Sequence, residues 1–402
     1  MSIVVQKYGG SSVADPEKLR IVAKRVVATK RLGHDVVVVV SAMGKTTDQL
    51  LALSKQVTPS PDRRELDMLL SAGERISMAL LTMAIREEGE QAISFTGSQA
   101  GILTNDRHVD ARIIEVRPIR VQDELARGRI VIVAGYQGMS YKREITCLGR
   151  GGSDTTAVAL AAALHAEWCE ICSDVDGVYT ADPRVVTDAR RIPLLSHEET
   201  QELAESGAKV LNAQAVEFAR LHDIAIYARA TAGPLPGEDP SSDGTVVRRQ
   251  LMNDSGRVAA VAGERGIFLL RAEVVSLTDL LKSLDDLEAS AKESRIVRAP
   301  GGAWSVSMFF SKENLHQVDP VRKLLHDRFG DRAQLIEGFG AASAVGAGIN
   351  QDFRNVRRGE DALHGIPIEE IFTSTLRTTW IIPDGQVEEA QRRLHKMFCT
   401  DF

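Results

Sequence analysis

The chain has 402 residues, a formal net charge of −6, 44% hydrophobic residues and 26% charged residues. That length exceeds what one core usually supports, so two or three domains are expected, and the composition is ordinary for a globular protein. The acidic balance argues against a nucleic-acid partner, which needs a basic face. No stretch approaches the roughly 18 uninterrupted apolar residues of a membrane span. The apolar run in MSIVVQKYGG is too short for the centre of a signal peptide. A cytoplasmic protein is therefore expected.

The first 250 residues alternate short β-rich runs with helical patterns. Strands are expected at Ile3–Val5, Val36–Val40, Ile130–Ala134, Ile145–Leu148, Glu170–Ser173 and Ile224–Tyr227. Continuous runs such as VVVVV predict strands buried on both faces, hence a mostly parallel sheet in a three-layer α/β domain. The first helix has Asp15 as its cap, Pro16 at its first position and Gly33 at its end. Leu19, Val22, Ala23, Val26 and Val27 form one apolar face at helical spacing.

AGPLPGEDPSSDG, at Ala232–Gly244, reads as a loop that closes a first domain over 1–250. Residues 251–402 then offer two successive units of about 75 residues, each strand, helix, strand, strand, helix, strand. In the second unit, Ala341–Gly346 reads as a strand and Glu370–Ile382 as a strand pair. Gly385–Phe398 reads as an amphipathic helix capped by Asp384.

Three glycine-rich turns each follow a strand. Lys7-Tyr8-Gly9-Gly10-Ser11-Ser12 combines paired glycines, which let backbone N–H groups approach an anion, with a lysine suited to phosphate oxygens. Ser41-Ala42-Met43-Gly44-Lys45-Thr46-Thr47-Asp48 places hydroxyls where parallel sheets bind ligands; Thr47 or Asp48 serves equally as a helix cap. In Gly149-Arg150-Gly151-Gly152-Ser153-Asp154, a strand runs into a loop and then an alanine-rich helix, Thr155 to Ala166. Ser153 or Asp154 caps that helix, whose positive end makes an anion site. Ser173 to Arg184 interleaves three aspartates with Tyr179 and Arg184, a pattern closer to a nucleotide pocket than to a calcium loop. Cys169-x-x-Cys172 sits in a strand-like run, with no second cysteine pair nearby, and reads as two buried reduced thiols.

The motifs KYGGSSV, VVSAMGKTTDQL, SAGERIS, TGSQAGILT, AGYQG, ITCLGRGGSDTTA, CEICSDVDGVYTADPR and GAKVL follow the order and spacing of the aspartokinases. That resemblance to a branch of the amino-acid kinase superfamily covers essentially residues 2–250. It implies a kinase that moves the γ-phosphoryl group of ATP to the β-carboxylate of aspartate. Lys7, Gly9, Gly10 and Ser11 would hold the transferring phosphoryl group. Thr47 and Glu74 would contact aspartate, Glu74 through its ammonium, while Arg150 and Ser153 would take the α-carboxylate. Asp154 would orient the catalytic lysines, Lys7 and Lys209. Ser173 and Asp174 would line the adenine side, with Tyr179, Asp182, Arg184 and Lys209 around ribose and phosphates. Mg²⁺ would be held through the ATP phosphates, with no protein ligands of its own.

Residues 251–402 resemble, more faintly, tandem ACT-type regulatory domains, through ASAVGAGI and EEAQRRLHKMF. A homodimer through these units follows as the expected assembly, and Met252 stands where a shorter internal start could lie. Two departures from the family pattern matter. Asn212-Ala213-Gln214 replaces the usual His-Pro-Arg after GAKVL, which puts the start of that helix in doubt. AEVVSLT at Ala272–Thr278 and NQDFRNVRRG at Asn350–Gly359 replace the usual effector turns, which implies weak or absent inhibition by lysine and threonine. A kinase of the same superfamily with another acceptor, or a catalytically silent partner subunit, are the alternatives.

Overall fold

The computed structural model describes residues 2–149, 151–208, 210–237, 243–250, 256–287, 289–312, 315 and 318–400. Arg150, Lys209 and Met252 lie outside the described residues. The chain divides into two compact units: 1–178, 191–204 and 209–251 in the first, and 179–190, 205–208 and 252–402 in the second.

The elements of the first unit run β1 (Ile3–Tyr8), α1 (Pro16–Arg31), β2 (Asp35–Val40), α2 (Thr46–Val57), α3 (Arg63–Leu70), α4 (Ala72–Glu87), β3 (Ala92–Phe95), β4 (Ile102–Thr104), β5 (Ile113–Val116), α5 (Ile119–Ala126), β6 (Ile130–Ala134), β7 (Gln137–Ser140) and β8 (Ile145–Cys147). They continue with α6 (Gly152–Ala163), β9 (Trp168–Ser173), β10 (Leu194–Leu195), α7 (His197–Glu205), α8 (Ala213–His222), β11 (Ile226–Ala230) and β12 (Thr245–Val247). The main sheet has the order β10-β12-β11-β9-β1-β2-β6-β3. β11, β9, β1, β2, β6 and β3 are mutually parallel, whereas β12 runs antiparallel to β11.

All five valines of β2 are fully buried, as a strand covered on both faces requires. Alternate residues serve the two layers. Val36, Val38 and Val40 pack with the apolar face of α1 and with Leu81 and Ile85 of α4; α6 lies against β1, β2 and β9. Each such valine contributes about 1.5–3 kcal/mol of burial. The expected caps of α1 are present: Asp15 accepts the Lys18 N–H at 2.9 Å, and Gly33 follows with φ 94°.

Ile145–Leu148 does not join the main sheet. It supplies β8 to a four-stranded side sheet, order β5-β4-β7-β8. Helices α3 and α4 together, 63–87, are long and apolar enough to cross a membrane by length and composition. Their buried Asp67 and Glu74 mark them instead as core helices of this unit.

The second unit contains β13 (Ala260–Val274), α9 (Leu277–Asp285), β14 (Glu293–Arg298), β15 (Trp304–Phe310), α10 (Val318–Phe329), β16 (Ala333–Val345), α11 (Arg354–Ala362), β17 (Glu370–Thr373), β18 (Arg377–Pro383) and α12 (Val387–Phe398). One antiparallel sheet, order β14-β15-β13-β16-β18-β17, runs through it. The two βαββαβ modules are thus not independent. The N-terminal half of β16 closes the first module; the second takes the C-terminal half of β16 with β17 and β18, and borrows its fourth strand from the N-terminal half of β13.

Bulges near Ile267 bend the shared strands. α9 and α10 cover the first half through Leu280, Val321 and Leu325, and α11 and α12 cover the second around Trp380. The opposite face curls on itself: Phe309 of β15 and Phe372 of β17 meet at 5.4 Å between ring centroids. The middle of that sheet face is thus covered within the chain, while Arg271, Glu273, Arg295 and Val297 stay exposed. Asp384 does not cap α12; it accepts the Gly266 N–H at 2.6 Å, and α12 begins at Val387 without a side-chain cap.

Candidate active site

The C-terminal ends of parallel strands gather the loops of the first unit around a cleft of about 250 Å³. Lys7, Gly10, Ser41, Ala42, Gly44, Thr47, Glu74, Tyr136, Gly151, Gly152, Ser153 and Asp154 line it. Here 7 to 154 come from five separate loops or helix starts, brought together because β1, β2 and β6 are neighbours in the sheet.

Lys7 leaves the end of β1 and meets Asp154 of α6 at 2.6 Å from Nζ to Oδ1. Both side chains are mostly buried. Gly9 donates its N–H to the Cys172 carbonyl at 3.2 Å, and Gly44 donates to the Gly10 carbonyl at 3.0 Å. These bonds lock the turn at 9–12 between β9 and the 41–44 loop. Ser12 shares a 2.6 Å hydrogen bond with Thr231, so the end of β11 buttresses the same turn.

Glu74 lies in the first turn of α4, and Gly73 makes its position possible. A side chain there would sit 2.7 Å from the Ala42 methyl, so only glycine lets the helix start approach the loop this closely. Glu74 Oε1 then accepts the Ala42 N–H at 3.1 Å, while Oε2 is buried without a hydrogen-bond partner. Burial pushes this carboxyl up to about 7. An unpartnered, desolvated carboxylate aimed into a cleft is suited to a cationic ligand group.

Several expectations about helix starts change. Helix α6 begins at Gly152, three residues earlier than expected, and its N-cap position is Gly151 at φ 71°. Neither Ser153 nor Asp154 caps it; both are in its first turn, and Asp154 instead engages Lys7. Helix α2 starts at Thr46 with Lys45 at its cap position, so neither Thr47 nor Asp48 caps it. The start of α8, expected to suffer from the missing His-Pro-Arg, is properly capped: Asn212 accepts the Ala215 N–H at 3.1 Å. The same side chain fills the space beside Gly151, where a Cβ would lie 2.2 Å from Asn212 Nδ2.

Gly9 and Ser11 belong to the turn but not to the lining, and Ser11 is exposed. Ser173 ends β9 and Asp174 follows it, both outside the lining, and the Ser173 hydroxyl folds back on Val175. Tyr179, Asp182 and Arg184 fall in the 179–190 segment of the second unit, where Asp182 receives the guanidinium of Arg184 at 2.7 Å. Arg150 and Lys209 are outside the described residues. Tyr136 was not singled out from sequence, and Ser41 only as part of its loop. Tyr136 lies in AGYQG, and the structure gives it φ 63°, a conformation that a tyrosine rarely takes without a local reason.

The model of the Amino acid kinase family matches residues 2–228. Over 99% of this chain and 96% of the relative, the sequence is 42% identical to an aspartokinase of Mycolicibacterium smegmatis. An aspartokinase of Corynebacterium glutamicum matches equally, at 42% over the same shares. The chain belongs to the aspartokinase family. Among solved structures, E. coli aspartokinase III in complex with aspartate and ADP, in the R-state, is similar with a TM-score of 0.84 at 25% identity, covering 98% of this chain and 99% of that one. The same enzyme in complex with lysine and aspartate, in the T-state, gives a TM-score of 0.72. The family resemblance noted in the motifs thus extends over nearly the whole chain.

Proposed function

We infer that this aspartokinase-family chain transfers the γ-phosphoryl group of ATP to the β-carboxylate of L-aspartate, giving 4-phospho-L-aspartate and ADP. The observation that carries this reading is the cleft in which the Lys7–Asp154 pair stands between two glycine turns while Glu74 offers a buried, unpartnered oxygen. The chemistry needs no general base, because a β-carboxylate with a reference pKa of about 3.9 is already ionised at neutral pH. A carboxylate oxygen attacks the γ-phosphorus in line, the new O–P bond forms, and the bond to the bridging oxygen breaks with its electrons leaving on ADP. The obstacle is repulsion between anions, and cationic side chains and backbone donors relieve it.

In this assignment Lys7, Gly9, Gly10 and Ser11 hold the phosphoryl group, and Asp154 orients Lys7 and Lys209. Thr47, Glu74, Arg150 and Ser153 take the amino acid. Ser173, Asp174, Tyr179, Asp182, Arg184 and Lys209 surround the nucleotide. Mg²⁺ supplies charge neutralisation on the β- and γ-phosphates. Among the described residues no three His, Cys, Asp or Glu side chains converge, and Asp154 is taken by Lys7. An ion that arrives on the nucleotide would meet Lys7 and Asp154 at the cleft.

Residues 1–250 form the catalytic part in this reading, and 251–402 a regulatory and dimer-forming part. The partner of a homodimer would meet the sheet edges at β14 or β17, since the middle of the sheet face is already filled. Four buried cysteines without disulfides suit a reducing cytoplasm. The test is ATP-dependent formation of aspartyl hydroxamate, with glutamate as control. Product from aspartate alone is expected; no product despite ATP binding would overturn the assignment in favour of a silent partner subunit.

A further inference from the structure

Helix α3 carries Asp67, whose carboxylate is completely buried and faces the 105–111 segment. It meets Nδ1 of His108 at 2.6 Å and accepts the Val109 N–H at 3.0 Å. Arg63, one turn earlier on the same helix, donates from Nε to the His108 carbonyl at 3.0 Å. Burial raises the Asp67 carboxyl above its ordinary range, against the lowering pull of the His108 hydrogen bond. Val109 has φ 71°, the left-handed region, which is a genuine outlier for a β-branched residue. Such a conformation persists only where its surroundings over-determine it; Asp67 takes the Val109 N–H itself, Arg63 takes the His108 carbonyl, and the Asn105 side chain accepts the Arg107 and Arg112 N–H groups.

The strained turn delivers the next two residues to the glycine loop. The Asp110 carboxylate occupies the space beside Gly149, where a Cβ would lie 2.4 Å from Oδ1. Ala111 donates its N–H to the Cys147 carbonyl at 3.0 Å and bridges to Leu148. From the other side, the Cys147 thiol reaches the backbone carbonyl of Asp67 at 3.6 Å. Gly151, Gly152, Ser153 and Asp154 follow directly and line the cleft. Helix α3 also leads through Ser71 into α4 and Glu74, and the Gln137 amide holds the Ser71 carbonyl at 2.9 Å.

We propose that Asp67 is a positioning residue for the amino-acid half of the cleft: it holds the 105–111 strap in its strained form, and through Asp110 and Ala111 the strap fixes the glycine loop ahead of Ser153. The proposal rests on the reading of the cleft under Proposed function. It accounts for a buried carboxylate that touches no part of the cleft itself.

The experiment compares the full-length parent with Asp67→Ala and with Asp67→Ala/Val109→Gly. Glycine takes a positive φ without strain, so it removes the need for a holder. Asp67→Ala should raise the aspartate KM about tenfold while the ATP KM stays within about twofold, and the added glycine should reverse most of that rise. Hydrogen–deuterium exchange, which needs no turnover, should quicken both at 105–111 and at 149–154 in Asp67→Ala and recover in the double variant. Should Asp67→Ala fail to fold, Asp67→Asn replaces it in both backgrounds, with a smaller rise and the same reversal expected. Equal rises in both KM values, exchange that quickens in the strap alone, or no recovery with glycine would overturn the proposal. A parent enzyme inactive on aspartate would sink the functional reading, and the exchange measurement would still decide this one.

Discussion

The ammonium of Lys7 and the carboxylate of Asp154 meet at 2.6 Å across the gap between strand β1 and helix α6. The pair is largely shielded from water, so removing one member strands the other in a poorly solvated site. Asp154→Asn should retain the fold and lower kcat by about a hundredfold or more, because Lys7 loses the group that aims it at the phosphoryl group. Lys7→Arg should not substitute, since a planar fork cannot replace a point charge at that position. Steady-state kinetics with both substrates, alongside circular dichroism, checks both; a kcat within a few-fold of the parent would refute the role.

Glu74 gives a pH dependence whose sign follows from its environment. Burial lifts its carboxyl to about 7, above the ordinary 4.5, so the folded chain favours the neutral form. The associated stability is fully present below about pH 4.5 and is lost as pH rises through 7, leaving a cost on the order of 3 kcal/mol at pH 8. Glu74→Gln should therefore melt several degrees higher than the parent at pH 8, with the difference shrinking towards pH 5. It should also raise the aspartate KM about a hundredfold, since the partner of the ammonium is gone. In the parent, aspartate affinity should weaken as pH falls below 7, up to about tenfold per unit. Melting curves and KM over pH 5 to 8 test the set; a pH-independent KM would refute it.

The C-x-x-C of β9 should be chemically silent. Cys169 and Cys172 are fully buried, and burial raises both thiols, Cys172 to about 12 and Cys169 well above its ordinary value. Thiolate reactivity needs the opposite shift. A thiol reagent should find neither group in the native protein and both after denaturation, and activity should be the same with or without reductant. Rapid native labelling at either residue would contradict this.

Inhibition by amino acids should be weak. The segments that would carry effector turns are Ala272–Thr278 and Asn350–Gly359, and the second of these continues into α11 rather than forming a short turn. Lysine and threonine, alone or together at about millimolar concentration, should leave most of the activity in the hydroxamate assay. Tight inhibition by either would overturn this expectation.

Much of the catalytic half was legible because its signals are local. VVVVV reads as a two-sided strand, and Asp15, Pro16 and Gly33 bracket α1. Strands β4, β5 and β7 were not legible, because three or four residues of mixed polarity carry no period. The borrowed strand in the second unit was hidden for a different reason: β13 runs for fifteen residues through Gly263 and Gly266, and its two halves serve different modules. At the site, the glycine turns and charged residues stood out, but the packing of Asn212 against Gly151 depends on where a neighbouring loop lies. So does the placement of Tyr136. Asp384 shows the same limit, since its partner, Gly266, is far away in the chain.

The shared strands of the second unit set an order of events during synthesis. Among the described strands, the N-terminal half of β13 pairs with β16, and β18 completes that module from the far side of β16. A ribosome making this chain releases Ala260–Glu264 long before Ala341–Val345 exists to receive it. The first βαββαβ module can close while translation continues, but the second must wait for α12, whose Val387 and Leu394 fill its core. A chain interrupted before Ala341–Val345 would therefore display an unpaired strand end, and one interrupted before the last helix an open apolar surface, the features by which quality control recognises unfinished proteins.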